Sequence, residues 1–422
     1  MKKAMKKEVK GGTLEFVSFD LLPRHDSTWG LCTGRDGNIY LAACGEGIGG
    51  LTVFLLRYIP ETRTLEYLIE VGPHIGELPE HGRASQSKIH YCLIPGSDGL
   101  LYCATHASGP PLNQPTWRPW STWHDPKRWF TGSYIFTYDP RTNRIENVDV
   151  GPKKEGSRAM ALDEKRRVLY GITWPRNHLY AYFLDERRYE DLGRIGDVNP
   201  QAIFLDRDGN AYTTDDYGFF LKVDAETLAI RGLRCKCPHT IYHSGWHNVP
   251  YDVVPAPDWS CFYGTDYGYE SRLWRFDPYA GPDGHVEDLG RAYGPPELKT
   301  EPLLEFWQVR GLVFGMDGKL YMVTRLGSEV REEDLRRIQG WDIPRAEQNL
   351  IRCDVKTGER ELLGTVRFDD FYPRAIASAT PDFYGNLYFA SAGFSPTGFF
   401  VYRPHNAGTQ KVFGWKDIKQ WG

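Results

Sequence analysis

Short apolar runs separated by polar turns recur along the whole chain, and seven segments share one layout. Each has an apolar strand, an Asp-Gly-type turn, a second strand built around a Tyr, a third strand, a polar turn and a fourth strand. The turns with their Tyr are Asp36 to Tyr40, Asp98 to Tyr102, Asp163 to Tyr170, Asp208 to Tyr212, Asp258 to Tyr263, Asp317 to Tyr321 and Tyr384 to Tyr388. Third strands include Tyr134-Ile-Phe-Thr-Tyr-Asp-Pro140 and Arg272-Leu-Trp-Arg-Phe-Asp-Pro278. Fourth strands often run into Leu-Gly, as at Asp191-Leu-Gly193. A four-strand unit repeated every ~40–60 residues predicts an all-β chain, a seven-bladed β-propeller of four-stranded antiparallel blades. Radial packing buries both faces of each sheet and leaves short edges. The early strand Thr13 to Phe19 is expected to pair with the last blade and close the ring. One propeller domain then takes residues 1–422, with insertions at 107–132 and 328–348.

The stretch Lys88 to His106 is the hairpin with the most chemistry in it. It reads as two antiparallel strands around a Ser-Asp-Gly turn. His90 starts the first strand and His106 ends the second, which places the two ends side by side.

In a propeller the first strand of each blade lines the central channel, so aligned repeats give rings of side chains. The residue before the apolar core of each first strand is Trp29, His90, Arg158, Gln201, Tyr251, Arg310 and Arg374. A second ring, four residues after each repeat Tyr, reads Cys44, His106, Trp174, Asp216, Tyr267, Arg325 and Ala392. Because the hairpins are antiparallel, both rings open onto one face. Polar channel walls can simply face water. Four guanidiniums around one mouth, however, repel one another and cost desolvation unless an anion pairs with them. Arg is the planar partner of carboxylate, sulfate or phosphate. An anionic ligand is therefore expected at this mouth.

The insertion in the second blade carries Trp117 and Trp120 on a Pro-rich loop, which suits stacking on sugar rings. The insertion at 328–348 is charged and reads as a helical lid or contact surface. Cys235-Lys-Cys237-Pro-His239, with His243 four residues on, is a candidate structural zinc site, although its spacing is not that of a standard finger. No metal or cofactor is expected to be needed for catalysis.

Composition narrows the partners. Net charge is −4 over 422 residues, which offers no basic face to nucleic acid. No apolar run is long enough to span a membrane, and no apolar stretch follows the basic N-terminus as a secretory signal requires. A cytoplasmic protein with reduced thiols is expected, acting on an anionic oligosaccharide, with its oligomeric state left open.

The His pair on adjacent inner strands, facing Tyr and Arg, resembles the seven-bladed propeller polysaccharide lyases such as the ulvan lyases. More loosely it resembles the propeller enzymes that cleave rhamnose–glucuronate linkages and the oligogalacturonate lyases, whose metal needs more His than the two offered here. The resemblance implies a uronate substrate cleaved by β-elimination. His90 and His106 match the paired histidines, Tyr251 or Tyr267 the tyrosine, and Arg158, Arg310 or Arg325 the arginine. Such chemistry needs a cation on the carboxylate, a base for the C5 proton and an acid for the leaving oxygen, and Arg, His and Tyr are of the right types. Two other readings compete. A lactonase-type propeller hydrolase needs a ring of Glu, Asp and Asn around a divalent ion, and the rings hold one Asp. A non-catalytic propeller would present the same mouth to an anionic sugar.

Overall fold

The computed structural model describes residues 5–19, 25, 27–45, 52–107, 125–197, 200–238, 249–266, 272–292, 308–326, 347–368, 375–392 and 398–418. Seven antiparallel sheets form the ring, six running from the axis outward in chain order and the last taking its outer strands from the N-terminus. Blade 1 is Ser27–Thr33, Ile39–Cys44, Phe54–Ile59 and Thr64–Glu70. Its second strand is buried throughout, its third only in part, and its fourth alternates toward solvent. The same gradient explains the residue types. Inner strands are covered on both faces and take Ile, Leu, Ala and Cys, whereas the rim takes Thr, Glu and Arg.

The core lies between neighbouring sheets. One cluster joins blades 1 to 3 through Cys32, Leu55, Leu93, Phe136 and Met160. Another joins blades 4 and 5 through Phe204, Phe220 and Phe276, with the last two rings stacked at 4.3 Å. The expected closure is present: Gly12–Ser18 pairs with Gly398–Pro404 in the last blade, Phe16 opposite Phe400. Beyond it, Met5–Val9 adds a fifth strand, and Lys10 N–H donates to Leu363 O of blade 6 at 2.8 Å.

The repeat tyrosines occupy equivalent places. Each lies opposite a first-strand residue one position from the last ladder pair before the turn, two in blade 3: Cys32, Ile94, Ala161, Phe204, Val254, Val313 and Thr380 face Tyr40, Tyr102, Tyr170, Tyr212, Tyr263, Tyr321 and Tyr388. Five of the hydroxyls donate to a turn carboxylate. Asp36, Asp98 and Asp317 accept at 2.6–3.0 Å, as do Asp206 and Asp382 at 2.9 and 2.8 Å. In blade 4 the partner of Tyr212 is therefore Asp206, not the Asp208 of the Asp-Gly pair. The turn glycines Gly37, Gly99, Gly209, Gly318 and Gly385 all sit at φ between 68° and 87°, a conformation that side chains resist.

All eight cysteines are free thiols. No helix among the described residues is long and apolar enough to cross a membrane. The insertion residues 108–124 and 327–346 lie outside the described residues, and with them the expected helix and the loop tryptophans Trp117 and Trp120.

Candidate functional site

Two irregularities in the inner strands aim the site. In blade 2, Lys88 pairs with His106, and the next ladder pair begins at Leu93 with Cys103. Five steps on one strand thus meet three on the other, so the first strand bulges. The released segment turns to blade 3: Tyr91 N–H donates to Arg158 O at 3.2 Å, and Met160 N–H to Tyr91 O at 3.0 Å. The register puts Lys88, rather than His90, directly across from His106. In blade 3 the ladder shifts between Ser157 and Ala159, which turns Arg158 out of the sheet.

Bulges also correct the first ring. Counting three residues back from the partner of each repeat Tyr gives Trp29, Tyr91, Arg158, Gln201, Tyr251, Arg310 and Ala377. Tyr91 stands where the aligned sequences put His90, and Ala377 where they put Arg374, which lies outside the described residues. His90 sits one step toward the mouth.

His90 and His106 are nevertheless neighbours. Both rings are buried, with centroids 5.7 Å apart and planes 31° apart. His90 Nδ1 lies 2.8 Å from Arg158 O, and His106 Nδ1 lies 2.6 Å from Ala107 O. A carbonyl only accepts, so each Nδ1 carries the proton and each Nε2 presents a lone pair. Both Nε2 atoms are buried and have no hydrogen-bond partner among the described residues. Burial holds the His90 pKa well below its ordinary value, and Arg158, Lys88, His106 and Arg310 add to the effect. Burial does the same at His106, with Lys88 and Arg158, against the pull of the Ala107 carbonyl. Two neutral imidazoles therefore face buried cations.

Aromatic rings clamp the pair. Trp29 stacks on His90 at 4.4 Å and carries the Lys88 ammonium at 4.0 Å, so it holds protein groups rather than presenting an open face. Trp174, half-buried, stacks on His106 at 5.0 Å. Gly156 lets the blade 3 backbone approach, since a Cβ there would meet His106 Cγ at 2.8 Å.

Arg310 lies farther round the channel. Its guanidinium stacks on Tyr251 at 3.3 Å and donates from Nη2 to Gln201 Oε1 at 2.7 Å. Asp216 sits apart from the His pair, its Oδ2 accepting from Asp197 N–H at 2.7 Å. Cys44 packs between blades, its thiol toward Ala42 O and Ile89 O. Tyr267 and the Arg325 side chain lie outside the described residues, so of the four ring arginines Arg158 and Arg310 are placed, both buried.

Among the described residues no group of three His, Cys, Asp or Glu is arranged to hold a metal. Cys235 Sγ–H donates to Asp283 O at 3.0 Å, and Cys237 is buried in the core between blades 4 and 5. Burial raises both thiols, Cys235 to about 11. His239 and His243 lie outside the described residues.

Three residues of this region escaped the sequence reading: Lys88, Tyr91 and Asp252. Asp252 lines the channel and is buried, accepting from Val253 N–H at 3.0 Å and Leu312 N–H at 2.9 Å. The signal for Lys88 was available, because it begins the same hairpin as His90.

No known family model and no curated protein matches the chain. Solved structures do. The extracellular domain of BT4673 from B. thetaiotaomicron, described as a one component system, aligns over 92% of this chain at 14% identity and TM-score 0.55. The chain spans 40% of that protein's length. The WD40 repeats of RRP9 align over 94% of this chain and 99% of that one at 11% identity and TM-score 0.53. A fungal alcohol oxidase of the AA5 family, in complex with copper, aligns over 93% of this chain and 76% of that one at 10% identity and TM-score 0.58. At such identities the likeness shows the fold alone.

Proposed function

We propose that the protein is a lyase that cleaves a uronate-containing oligosaccharide by β-elimination at this channel mouth. The observation that supports it is the pair of neutral imidazoles, each with an unpartnered buried Nε2, beside Lys88 and Arg158. A base at neutral pH must be unprotonated, and desolvation with neighbouring cations gives that state. The same cations suit the substrate. A carboxylate near Lys88 and Arg158 is neutralised, which acidifies the adjacent C5–H.

In this reading one Nε2 takes the C5 proton, the C4–O bond breaks and a C4–C5 double bond forms. The proton reaches the departing oxygen from the imidazolium just made or from a tyrosine. The groups would bind an anionic sugar equally well without turning it over, so product formation is the discriminating measurement.

The test is an absorbance assay for the unsaturated uronate over a panel of uronate oligosaccharides, with and without chelator. Absorbance that grows and resists chelator supports the lyase. Tight binding without product on every member of the panel leaves a binding propeller, and activity lost to chelator points to metal-dependent chemistry instead.

A further inference from the structure

The inner strands of blade 3 run from Gly156 and Trp174 at the channel mouth to Asp163 and Val168 at the opposite, turn face. On that turn face lies an open cleft of about 550 Å³, bounded by the turns of blades 3, 4 and 5 and by the C-terminal tail. Val412 N–H donates to Phe383 O at 2.7 Å, which ties the tail to the last blade's turn on its way to the cleft, where it presents Lys416. Small-molecule sites run from ~300 to 1,000 Å³.

The blade 5 turn departs from the repeat at this cleft. Trp259 N–H donates to Ala256 O at 2.8 Å, the bond that Gly37, Gly99, Gly209 and Gly318 make to the carbonyl three residues back. Those glycines sit at φ between 68° and 87°, and Trp259 sits at 59°. A tryptophan thus occupies left-handed backbone where the repeat uses glycine, a conformation that bulky side chains avoid. It is half-buried and lines the cleft. Its ring partner among the described residues, Phe262, meets it edge-on at 6.4 Å, so no ring stacks flat on the indole. Several charged groups around it are already engaged. Asp163 pairs with Arg166 at 2.9 Å, Glu164 accepts from Ser97 N–H at 2.5 Å, and Asp206 accepts from Asn210 Nδ2 and the Tyr212 hydroxyl. Arg207 donates to Asp258 O. Lys165, Lys416 and the Asp208 carboxylate are exposed and have no hydrogen bond or ion pair among the described residues.

We propose that this cleft is a second binding site, for a hydroxylated ring bearing one acid group, a sugar acid or a sugar phosphate. The acid group meets the Lys165 and Lys416 ammonium groups, a ring hydroxyl donates to Asp208, and the ring stacks on Trp259. An aromatic acid without hydroxyls leaves Asp208 with no donor, and a neutral sugar leaves both ammonium groups unmatched. The site is separate from the two histidines, which stand at the other face of the ring.

The test is calorimetric titration of the whole protein with glucuronate, glucose 6-phosphate, glucose and benzoate. A free monosaccharide has no glycosidic bond to break, so the outcome is separate from that of the lyase reading. At least one of the two sugar acids should bind saturably, about tenfold or more tighter than glucose or benzoate. Trp259→Gly should weaken that binding about tenfold or more without lowering the melting temperature, because glycine accepts the left-handed backbone. The double variant Lys165→Met, Lys416→Met changes exposed side chains, so it keeps the test open should Trp259→Gly fail to fold. It should weaken binding about threefold or more. Three results overturn the proposal: no saturable binding of either sugar acid, benzoate bound as tightly as they are, or parental affinity in the double lysine variant, which assigns the binding to the channel mouth. A Trp259→Gly variant that melts lower and binds like the parent makes the tryptophan a packing residue and overturns it too.

Discussion

His90 and His106 stand 5.7 Å apart, ring centre to ring centre, and each turns its Nδ1 toward a backbone carbonyl and its Nε2 toward no described partner. The carbonyls come from different blades, Arg158 O from blade 3 and Ala107 O from the loop after blade 2's second strand. The tautomer of each imidazole is thus fixed by the backbone and does not depend on the other ring. Structural histidines usually satisfy both nitrogens, because a buried open lone pair costs free energy. Here two such costs are placed side by side.

That placement predicts the effect of removing either ring. Proton transfer by a positioned side chain is worth ~10²–10⁴-fold. His90→Gln and His106→Gln, which keep bulk against Trp29 and Trp174, should each lower turnover on a uronate oligosaccharide at least ~100-fold. Near-parental rates in both variants, on a substrate the parent cleaves, would remove the histidines from the mechanism.

Gly156 offers a test that leaves both histidines in place. A Cβ at 156 would meet His106 Cγ at 2.8 Å and Cδ2 at 2.9 Å, closer than side chains tolerate. Trp174, directly across the ladder from Gly156, already stacks on the same ring, so the ring must shift. Gly156→Ala should therefore lower kcat by about tenfold or more, since a misplacement near 1 Å can cost ~10²-fold. The circular dichroism of the blades should not change. Unaltered kcat would show that His106 need not hold its position.

The repeat was legible because propeller geometry writes itself into sequence. Tyr40, Tyr102 and Tyr321 sit against turn carboxylates in the same way, so spacing alone aligned them. The inner strands are buried on both faces and read as plain apolar runs. The first ring was legible in five blades, one residue off in blade 2 and three off in the last. Bulges at Thr28/Leu31, Ser157/Ala159, Pro250/Asp252, Arg310/Val313 and Ile376/Ala379 rotate the channel-facing positions, and nothing in residue type marks where a ladder slips. In blade 2 the irregular step between Lys88 and Leu93 leaves Tyr91 at the place assigned to His90 and Lys88 opposite His106. Asp252 was missed for the opposite reason. It is a polar residue inside an apolar strand, and its backbone partners at Leu312 come from the next blade.

The cations should discriminate by charge. Arg158 and Lys88 both act on His90 and His106, and both are buried. A hydrogen bond to a charged group is worth about 1.5–3 kcal/mol, or roughly 10–150-fold in affinity. Arg158→Met should weaken binding of a glucuronate oligosaccharide by that factor and change binding of its neutral, carboxyl-reduced counterpart by less than about threefold. Calorimetric titration of the two ligands measures it. Equal losses would place Arg158 in the framework.

Acid stability follows from two opposed groups. The folded pKa of both histidines lies well below 6.5, so under that pH the unfolded chain binds protons that the folded chain refuses. Stability contributed by their neutrality is present above pH ~6.5 and falls as pH drops, by up to ~1.4 kcal/mol per pH unit for each histidine. Asp252 works the other way. Burial raises its pKa from 3.8 to about 6, against the Leu312 N–H and Arg310. Between about pH 4 and 6 the folded chain holds a proton there that the unfolded chain has lost, so stability falls as pH rises through that window. Urea unfolding from pH 7 to 5 should therefore show a net loss on acidification that Asp252 partly offsets. His90→Gln should flatten the loss, and Asp252→Asn, which removes the offset, should steepen it. A parent whose stability is level from pH 7 to 5.5, or an Asp252→Asn variant with the parent's slope, would show that these buried groups do not titrate as their surroundings require.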